Sequence, residues 1–412
     1  MTTIRAFKAV RPDRRFAHQV AALPYDVMNS DEAREMAKDN PYSFLHVDKA
    51  EIDLEIGVDL YDDRVYNKAK ENLDKMLADH VLFQDEKPCL YVYQLIMNGR
   101  KQTGLVVCTA IDDYLNNTIK KHELTRPDKE TDRIRHVSVC NANTGPIFLM
   151  YKADAGVRAL IENTMQSKNT TYDFLSDNGV THKIWVIDDE PTIDALVEAF
   201  KSVPNFYIAD GHHRNAAAVK VGLKRRSENP NYDKDAEFNY YLSVVFPDDQ
   251  LAIMDYNRVV KDLNGLSKAQ FLNKISEKFM VEKSQQAQPD RAHTFAMYCD
   301  GEWYRLTVKD AFIPADCVGS LDVSILQNEL LGPILAIDDP RTNNRIDFVG
   351  GIRGVKELVK RVDSGEMAVA FAMFPTTIRE LMAVADEDKL MPPKSTWFEP
   401  KLRSGLFIHM LD

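Results

Sequence analysis

The sequence has little cysteine and no long apolar run. Its five cysteines are widely spaced and never form a Cys-x-x-Cys pair, so neither a disulfide framework nor a zinc knuckle is expected. No apolar run approaches the ~18 residues that a membrane helix needs. The segment Met1–Lys8 also lacks the apolar core of a signal peptide. We therefore expect free, mostly buried thiols, no membrane association and a cytoplasmic location.

Positive charge is outnumbered by negative charge, with 52 Lys and Arg residues against 63 Asp and Glu residues. The formal net charge is -11, which argues against a protein that binds nucleic acid over its whole surface, so no nucleic-acid partner is expected. Hydrophobic residues make up 44% and charged residues 28% of the chain, a composition typical of folded globular proteins. Because 412 residues exceed what one compact core usually holds, we expect two or three domains.

Several catalytic signatures are missing from the sequence. It contains no G-x-x-x-x-G-K-[ST] motif and no G-x-G-x-x-G motif after a strand in a βαβ unit, which disfavours P-loop kinases, protein kinases and dinucleotide dehydrogenases. Neither G-x-S-x-G nor H-E-x-x-H occurs. The absence of these signatures disfavours common hydrolase and zinc-protease sites.

Strand and helix patterns alternate along the chain. Asn98-Gly99 joins two apolar segments and predicts a β-hairpin, and apolar residues spaced by four predict a helix from about Leu60 to Asp79. Hairpins mixed with crossovers favour an α+β (mixed α/β) fold over a doubly wound one. We expect an N-terminal α+β region over 1–165, a second region over 166–255, and a C-terminal α+β region over 256–412.

The strongest local signal is a strand, a turn and a helix start. Phe206–Ala209 predicts a buried strand, and the following Asp-Gly pair ends it, with a glycine that lets the backbone approach a ligand closely. The first turn of the next helix then offers free N–H groups to an anion, most simply a phosphate. The predicted phosphate-binding residues of this loop are Asp210, Gly211, His212, His213 and Arg214.

A purely structural interpretation of this loop is that Asp210 caps the helix and the histidines satisfy backbone groups. Two features favour a functional interpretation instead. The planar guanidinium of Arg214 matches the geometry of a phosphate, and the imidazoles can transfer protons. His213 is therefore a candidate catalytic residue. Adjacent histidines diverge at a helix start, so no metal ligands are assigned.

The loop Asp210–Arg214 resembles the signature loop of the ParB/sulfiredoxin superfamily, and most closely that of its free serine kinases. The chain as a whole resembles an uncharacterised bacterial and archaeal family known as domain of unknown function one thousand and fifteen. Four blocks carry this second resemblance: Leu23–Val27, Lys121–Thr125, Asp210–Arg214 and Met391–Lys401.

The resemblance implies a ParB/sulfiredoxin-like phosphate-binding core around residues 166–255. It also implies serine metabolism, namely the phosphorylation of free L-serine to O-phosphoserine, or the reverse reaction. Mg²⁺ is then the expected cofactor, and ATP, ADP or pyrophosphate the donor. The expected partners are a small-molecule substrate and this phosphate donor, and a homo-oligomer is compatible with the sequence.

The polar stretch from Lys120 to Arg135 is interrupted by proline and predicts a loop. A kinase of a small alcohol needs a carboxylate to take the hydroxyl proton and cations to hold the phosphate. Glu123 is a candidate base and Arg133 a candidate phosphate ligand, while His122 and Thr125 are candidate substrate ligands. A solvated charged loop is the alternative, and the family resemblance favours the functional interpretation.

Asp26 is a competing base. It follows a proline-stiffened strand end in Pro24-Tyr25-Asp26, close to the start of a capped helix. In the serine kinases the proton-accepting acid also lies in the N-terminal part of the chain, although the two segments do not align residue by residue. The alternative is that Asp26 is a plain turn or capping residue.

The segment Met391–Arg403 combines two prolines, two aromatic residues and polar side chains, which suits a lid or a pocket wall. Lys394 is a candidate phosphate ligand, and Ser395 and Thr396 are candidate substrate ligands. A packed tail is the alternative interpretation.

The sequence thus predicts a phosphotransferase acting on a small hydroxylated metabolite, with L-serine as the best candidate. Two other hypotheses stay open. One is a ParB-like module that responds to a nucleotide, and the other is a metal-dependent phosphohydrolase that uses His212, His213 and nearby acids.

Overall fold

The structure is a computed structural model that describes residues 1–412. It divides into two compact units, of which the first comprises Met1–Leu251 together with Pro400–Asp412 and the second comprises Ala252–Glu399. The predicted boundary near 255 lies close to the start of the second unit. The predicted boundary near 165 falls inside a helix of the first unit, Ala155–Ser167.

The first unit contains nine α-helices and thirteen strands. Its helices are α1 (Ala17–Val20), α2 (Ser30–Ala37), α3 (Leu45–Asp48), α4 (Asp63–Ala78), α5 (Ile111–Leu115), α6 (Pro127–Cys140), α7 (Ala155–Ser167), α8 (Glu190–Phe200) and α9 (His212–Glu228). Its strands are β1 (Ile4–Arg5), β2 (Val10–Pro12), β3 (Leu82–Gln84), β4 (Leu90–Met97), β5 (Arg100–Ala110), β6 (Ile119–Lys120), β7 (Ala142–Asn143), β8 (Ile147–Tyr151), β9 (Tyr172–Leu175), β10 (Thr181–Ile187), β11 (Phe206–Asp210), β12 (Tyr240–Pro247) and β21 (His409–Met410).

A nine-stranded sheet organises the first unit, in the order β6-β11-β8-β12-β5-β4-β10-β9, with β1 added beside β5. Its central strands are buried along almost their whole length, because helices cover the apolar side chains. The predicted hairpin between β4 and β5 is confirmed, and Asn98 and Gly99 both adopt positive φ there. Most pairs are antiparallel, but β11 with β6 and β12 with β8 are parallel.

The helices follow local sequence signals in most places. The predicted helix from about Leu60 to Asp79 is confirmed as α4, which buries Val65, Ala69, Leu73 and Met76 along one side. The prediction of a loop up to Arg135 is wrong, because α6 begins at Pro127. Proline is favoured at the first position of a helix, where its missing N–H has no partner to lose.

The second unit contains the remaining elements. Its helices are α10 (Lys268–Lys278), α11 (Asp322–Leu326), α12 (Gly354–Asp363) and α13 (Ile378–Asp386). Its strands are β13 (Ile253–Met254), β14 (Tyr256–Val260), β15 (Phe279–Lys283), β16 (Thr294–Cys299), β17 (Glu302–Val308), β18 (Ile346–Gly350), β19 (Val369–Met373) and β20 (Trp397–Phe398). Six of these strands form an antiparallel sheet in the order β15-β17-β16-β19-β14-β18.

These two units confirm an α+β fold, since antiparallel hairpins and sheets dominate and helices are interspersed. All five cysteines are free and four of them are buried, as expected. None of the helices has the length and apolar character needed to span a bilayer.

Candidate functional site

The turn between β11 and α9 has the predicted strand-turn-helix geometry. Gly211 lies between the two elements in the left-handed conformation, with φ 94°. A Cβ atom at this position would come within 3.2 Å of the Arg214 guanidinium. The first main-chain bond of the helix runs from the Asn215 N–H to the Gly211 carbonyl, at 2.9 Å. The N–H groups of the first helical turn therefore have no partner within the helix, and the positive end of its dipole lies at this turn.

Asp210 and Arg214 form an ion pair across the turn, with 3.2 Å between Oδ2 and Nη2. Lys401 adds its ammonium 3.7 Å from the same carboxylate oxygen. Burial by itself would raise the pKa of the Asp210 carboxyl, but the charges of Lys401 and Arg214 lower it below its ordinary value. One carboxylate thus faces two cations beside the helix start.

A small cavity is lined by both arginines that the sequence predicted as phosphate ligands, Arg133 and Arg214, and also by Tyr25. The Arg133 guanidinium lies over the Tyr25 ring, 4.0 Å from its centroid, and donates from Nε to Asp132 at 2.8 Å. Arg214 donates to the Pro146 carbonyl at 2.5 Å, while its Nε is buried without a hydrogen-bond partner. The guanidinium groups of Arg133 and Arg214, both nearly buried, therefore line the same cavity.

The two guanidinium groups stay charged despite their burial. Burial would lower the pKa of Arg214, but the carboxylates of Asp26 and Asp210 raise it above its usual value. The pKa of Arg133 is also raised, because Tyr25 and Asp132 outweigh the effect of burial. Both side chains can therefore serve as permanent cations at neutral pH.

Asp26 lies at the edge of this cluster, in the short 3₁₀ helix Tyr25–Val27, and its side chain is exposed. Its charge acts on His213 as well as on Arg214. His213 accepts a hydrogen bond at Nε2 from the Arg126 N–H, at 3.0 Å. Burial lowers the pKa of His213 despite the nearby acids, so the ring is neutral at pH 7 and its proton lies on Nδ1.

His122, Glu123 and His212 form a second cluster beside the turn. Strands β6 and β11 run parallel, with Ile119 opposite Phe206, so the residues that follow each strand meet at one edge of the sheet. The His122 and His212 rings pack edge to face with centroids 4.5 Å apart. His212 Nδ1 lies 3.8 Å from Glu123 Oε2. Burial lowers the pKa of His122 to about 4 and that of His212 well below its ordinary value.

Thr125 is near these residues but its hydroxyl is already engaged. It donates to Glu130 on α6, which also pairs with Lys220 on α9. Thr125 therefore anchors the end of the Lys121–Thr125 block to the two helices.

Lys394, Ser395 and Thr396 belong to the second unit and precede β20. The Lys394 ammonium lies 5.6 Å from the centroid of the Tyr256 ring. The Ser395 hydroxyl donates to the Pro392 carbonyl at 2.6 Å. The fourth family block is thus divided, because Lys394–Thr396 lie in the second unit and Lys401 lies in the first.

The first unit brings together most of the predicted residues: Asp26, His122, Glu123, Thr125, Arg133, Asp210, Gly211, His212, His213 and Arg214. Sequence reasoning gave Lys401 no specific role and did not predict the contact between His122 and His212. Lys401 could have been predicted as a site residue, because it is a cationic residue within one of the four family blocks. The histidine contact depends on the parallel pairing of β6 with β11, and a two-residue strand gives no sequence pattern.

Residues 4–324 match the family described as "Protein of unknown function (DUF1015)". This chain therefore belongs to that family, as its sequence blocks predicted. No curated protein matches the chain.

Solved structures are similar to the chain only at a low level. A free serine kinase in complex with AMP is 14% identical, with a TM-score of 0.37, and the match covers 73% of this chain and 91% of that one. SbnI from Staphylococcus aureus, with a C-terminal truncation, is 9% identical with a TM-score of 0.39, covering 73% and 85%. A conserved hypothetical protein from Pyrococcus furiosus is 15% identical with a TM-score of 0.34, covering 73% and 93%. At these TM-scores the similarity supports no conclusion about function.

Proposed function

We propose that the first unit is a phosphotransferase that acts on a small hydroxylated metabolite, with free L-serine as the best candidate. The observation that carries this proposal is the clustering of Arg133, Arg214 and Lys401 at the start of α9. A helix start with N–H groups free of intrahelical bonds and three buried cations suits the phosphates of a donor. The resemblance of the Asp210–Arg214 loop to that of the free serine kinases suggests the acceptor.

In this proposal the donor phosphates lie against the first turn of α9, and Arg133 and Arg214 offset the charge that develops during transfer. ATP, ADP and pyrophosphate all present the required phosphates. Mg²⁺ prefers oxygen ligands and would bind the donor phosphates and neutralise part of their charge.

Asp26 suits the role of base better than Glu123. Its carboxylate is exposed and its charge acts on Arg214 and His213, whereas Glu123 lies beside His212. Asp26 would take the proton of the serine hydroxyl, whose oxygen then forms a bond to phosphorus as the bond from phosphorus to the donor's bridging oxygen breaks. His213 already accepts a hydrogen bond from Arg126, so it is better placed to orient the loop than to remove this proton.

The direct test is to incubate the purified full chain with L-serine, Mg²⁺ and each of the three donors. We expect O-phosphoserine from at least one donor, detected by mass spectrometry. Arg214→Lys keeps the charge but loses the planar fork, and we expect it to reduce turnover by about 100-fold, as removal of one transition-state donor typically does. Arg158→Lys is the matched control, since Arg158 pairs with Asp249 at the surface of the same unit.

Absence of phosphoserine with every donor would contradict the proposal. If calorimetry then showed that a nucleotide binds and that Arg214→Lys weakens this binding, the first unit would instead be a nucleotide-responsive module. Release of inorganic phosphate without phosphoserine would indicate a phosphohydrolase.

A further inference from the structure

We infer that His122, Glu123 and His212 form a binding site for a divalent transition-metal ion of the Zn²⁺ class, separate from the Mg²⁺ that accompanies a phosphate donor. One ligand atom from each residue can be chosen so that all three lie within 4.8 Å of one another. Ligand atoms around a tetrahedral Zn²⁺ are about 3.4 Å apart, given bonds of about 2.1 Å. The separation of 3.8 Å between His212 Nδ1 and Glu123 Oε2 is already close to that value.

The two histidines lack the hydrogen bonds that buried imidazoles normally make. His122 is 2% exposed and His212 is 6% exposed. Both ring nitrogens of His122 and Nε2 of His212 are buried without a hydrogen-bond partner. Buried polar groups without partners are rare, because leaving one unsatisfied costs about 1–3 kcal/mol. A metal ion held by His212 Nδ1 and Glu123 would provide a partner for one of the two unpartnered nitrogens of His122.

The donor set selects the kind of metal. Two imidazoles and one carboxylate make up a set that binds Zn²⁺ in hydrolases and Fe²⁺ in oxygenases. Mg²⁺ prefers oxygen ligands, so imidazole nitrogens disfavour it.

The protein scaffold positions these donors without the metal. His122 and Glu123 follow β6, while His212 opens α9 directly after β11 and Gly211. The parallel pairing of β6 with β11 fixes both segments to the same sheet edge. Three protein ligands leave at least one coordination position open, as in catalytic rather than structural zinc sites. His212 itself belongs to the turn that carries the predicted phosphate ligands.

This site goes beyond the proposed phosphotransferase and does not require it. If the metal binds, Glu123 is a ligand and the proton acceptor of the transfer reaction is Asp26. Metal binding can be measured without substrate, so the two proposals fail or succeed separately.

The test is calorimetric titration of the full chain, stripped of metal by a chelator, with Zn²⁺ and with Mg²⁺. We expect Zn²⁺ to bind more tightly than Mg²⁺, and Co²⁺ to give a visible absorption spectrum typical of few-coordinate nitrogen and oxygen ligation. Glu123→Gln and His212→Ala should each weaken Zn²⁺ binding by at least about tenfold. Mutation of residues that only hydrogen-bond to a metal ligand already lowers metal affinity by about that factor. The Co²⁺ spectrum should be lost with them.

Glu123→Gln guards against misfolding, because the Glu123 side chain is 41% exposed. The matched control is His46→Ala, which removes a histidine that contacts the single carboxylate of Asp53 at 2.8 Å in the same unit. This variant should bind Zn²⁺ as the unmodified chain does. Zn²⁺ affinity unchanged in both Glu123→Gln and His212→Ala would overturn the inference, and so would Mg²⁺ binding as tight as that of Zn²⁺.

Discussion

The two units differ in the partners that surround their buried charged side chains. In the first unit Asp210, Arg214 and Lys401 lie together, and each buried charge has an opposite charge nearby. In the second unit Arg258 is 4% exposed but donates only to main-chain carbonyls, those of Tyr256 and Lys394. Burial lowers the pKa of Arg258 to about 10, whereas the pKa of Arg214 is raised.

The acids of the two units show the same contrast. The pKa of Asp210 is lowered, but burial raises that of Asp322 in the second unit to about 7. One Asp322 oxygen accepts a hydrogen bond from the His293 N–H at 2.8 Å, and the other is buried without a partner. Burial of a charge is therefore not itself a sign of a binding site. The first unit is distinguished by buried cations that have carboxylates beside them, which raise the pKa of Arg214.

The largest expected effect comes from removing each buried arginine. Arg214→Met leaves Asp210 with Lys401 as its remaining neighbouring cation, and we expect a loss of unfolding free energy of about 3–5 kcal/mol, as for other broken buried ion pairs. Arg258→Met removes a charge without orphaning a carboxylate, so the loss should be about 1–2 kcal/mol. Chemical denaturation, followed by circular dichroism, measures both. Equal losses would show that the two environments do not differ in energy.

The next effect is a pH dependence in the second unit. Because the pKa of Asp322 is higher in the folded chain than in the unfolded one, the proton that it binds stabilises the fold at low pH. That stability is present below about pH 4 and is lost as the pH rises to about 7, at about 1.4 kcal/mol for each unit of difference in pKa. Asp322→Asn cannot ionise and should abolish this decline, measured as unfolding free energy at several pH values.

The control for this measurement is Asp310→Asn, since Asp310 is exposed in the same unit. It should leave the pH profile unchanged. A profile for Asp322→Asn that still declines between pH 4 and 7 would mean that other groups cause it.

The smallest expected effect concerns the packing around Arg214. Gly211 and Gly179 both have positive φ, at 94° and 78°, but only Gly211 has atoms within 4 Å of the point where a Cβ would lie, namely those of Arg214. Each alanine substitution should cost roughly 1–2 kcal/mol of backbone strain. Gly211→Ala should cost about 1 kcal/mol more because it displaces the guanidinium. Thermal unfolding of the two variants measures the difference, and equal losses would show that Arg214 can move freely.

Local features of the fold could be predicted from the sequence. The strand-turn-helix at Asp210–Arg214 and the Asn98-Gly99 hairpin each depend on neighbouring residues, so their patterns were visible. The stretch around Pro127 was wrongly predicted to be a loop, because proline is common both in loops and at the first position of a helix. Composition and local propensity do not distinguish a proline in a loop from a proline at a helix start. The distinction depends on what the residues after the proline pack against.

Contacts between candidate-site residues that are far apart in the sequence were harder to predict. His122 meets His212 only because a two-residue strand pairs with β11, and no periodicity reveals so short a strand. Lys401 reaches Asp210 after the whole second unit has intervened in sequence. The family blocks predicted which residues belong to the candidate site, but they did not predict which of these residues are in contact.

The return of Pro400–Asp412 to the first unit has a consequence for biosynthesis. Strand β21 pairs with β7, and Ile408 exchanges main-chain hydrogen bonds with Val10. Domains generally fold as they leave the ribosome, beginning with the N-terminal part. The first unit, however, lacks Lys401 and this closing segment until the second unit has been translated. A nascent chain arrested just before residue 400 would therefore carry a fully translated second unit and a first unit whose proposed phosphate site is incomplete.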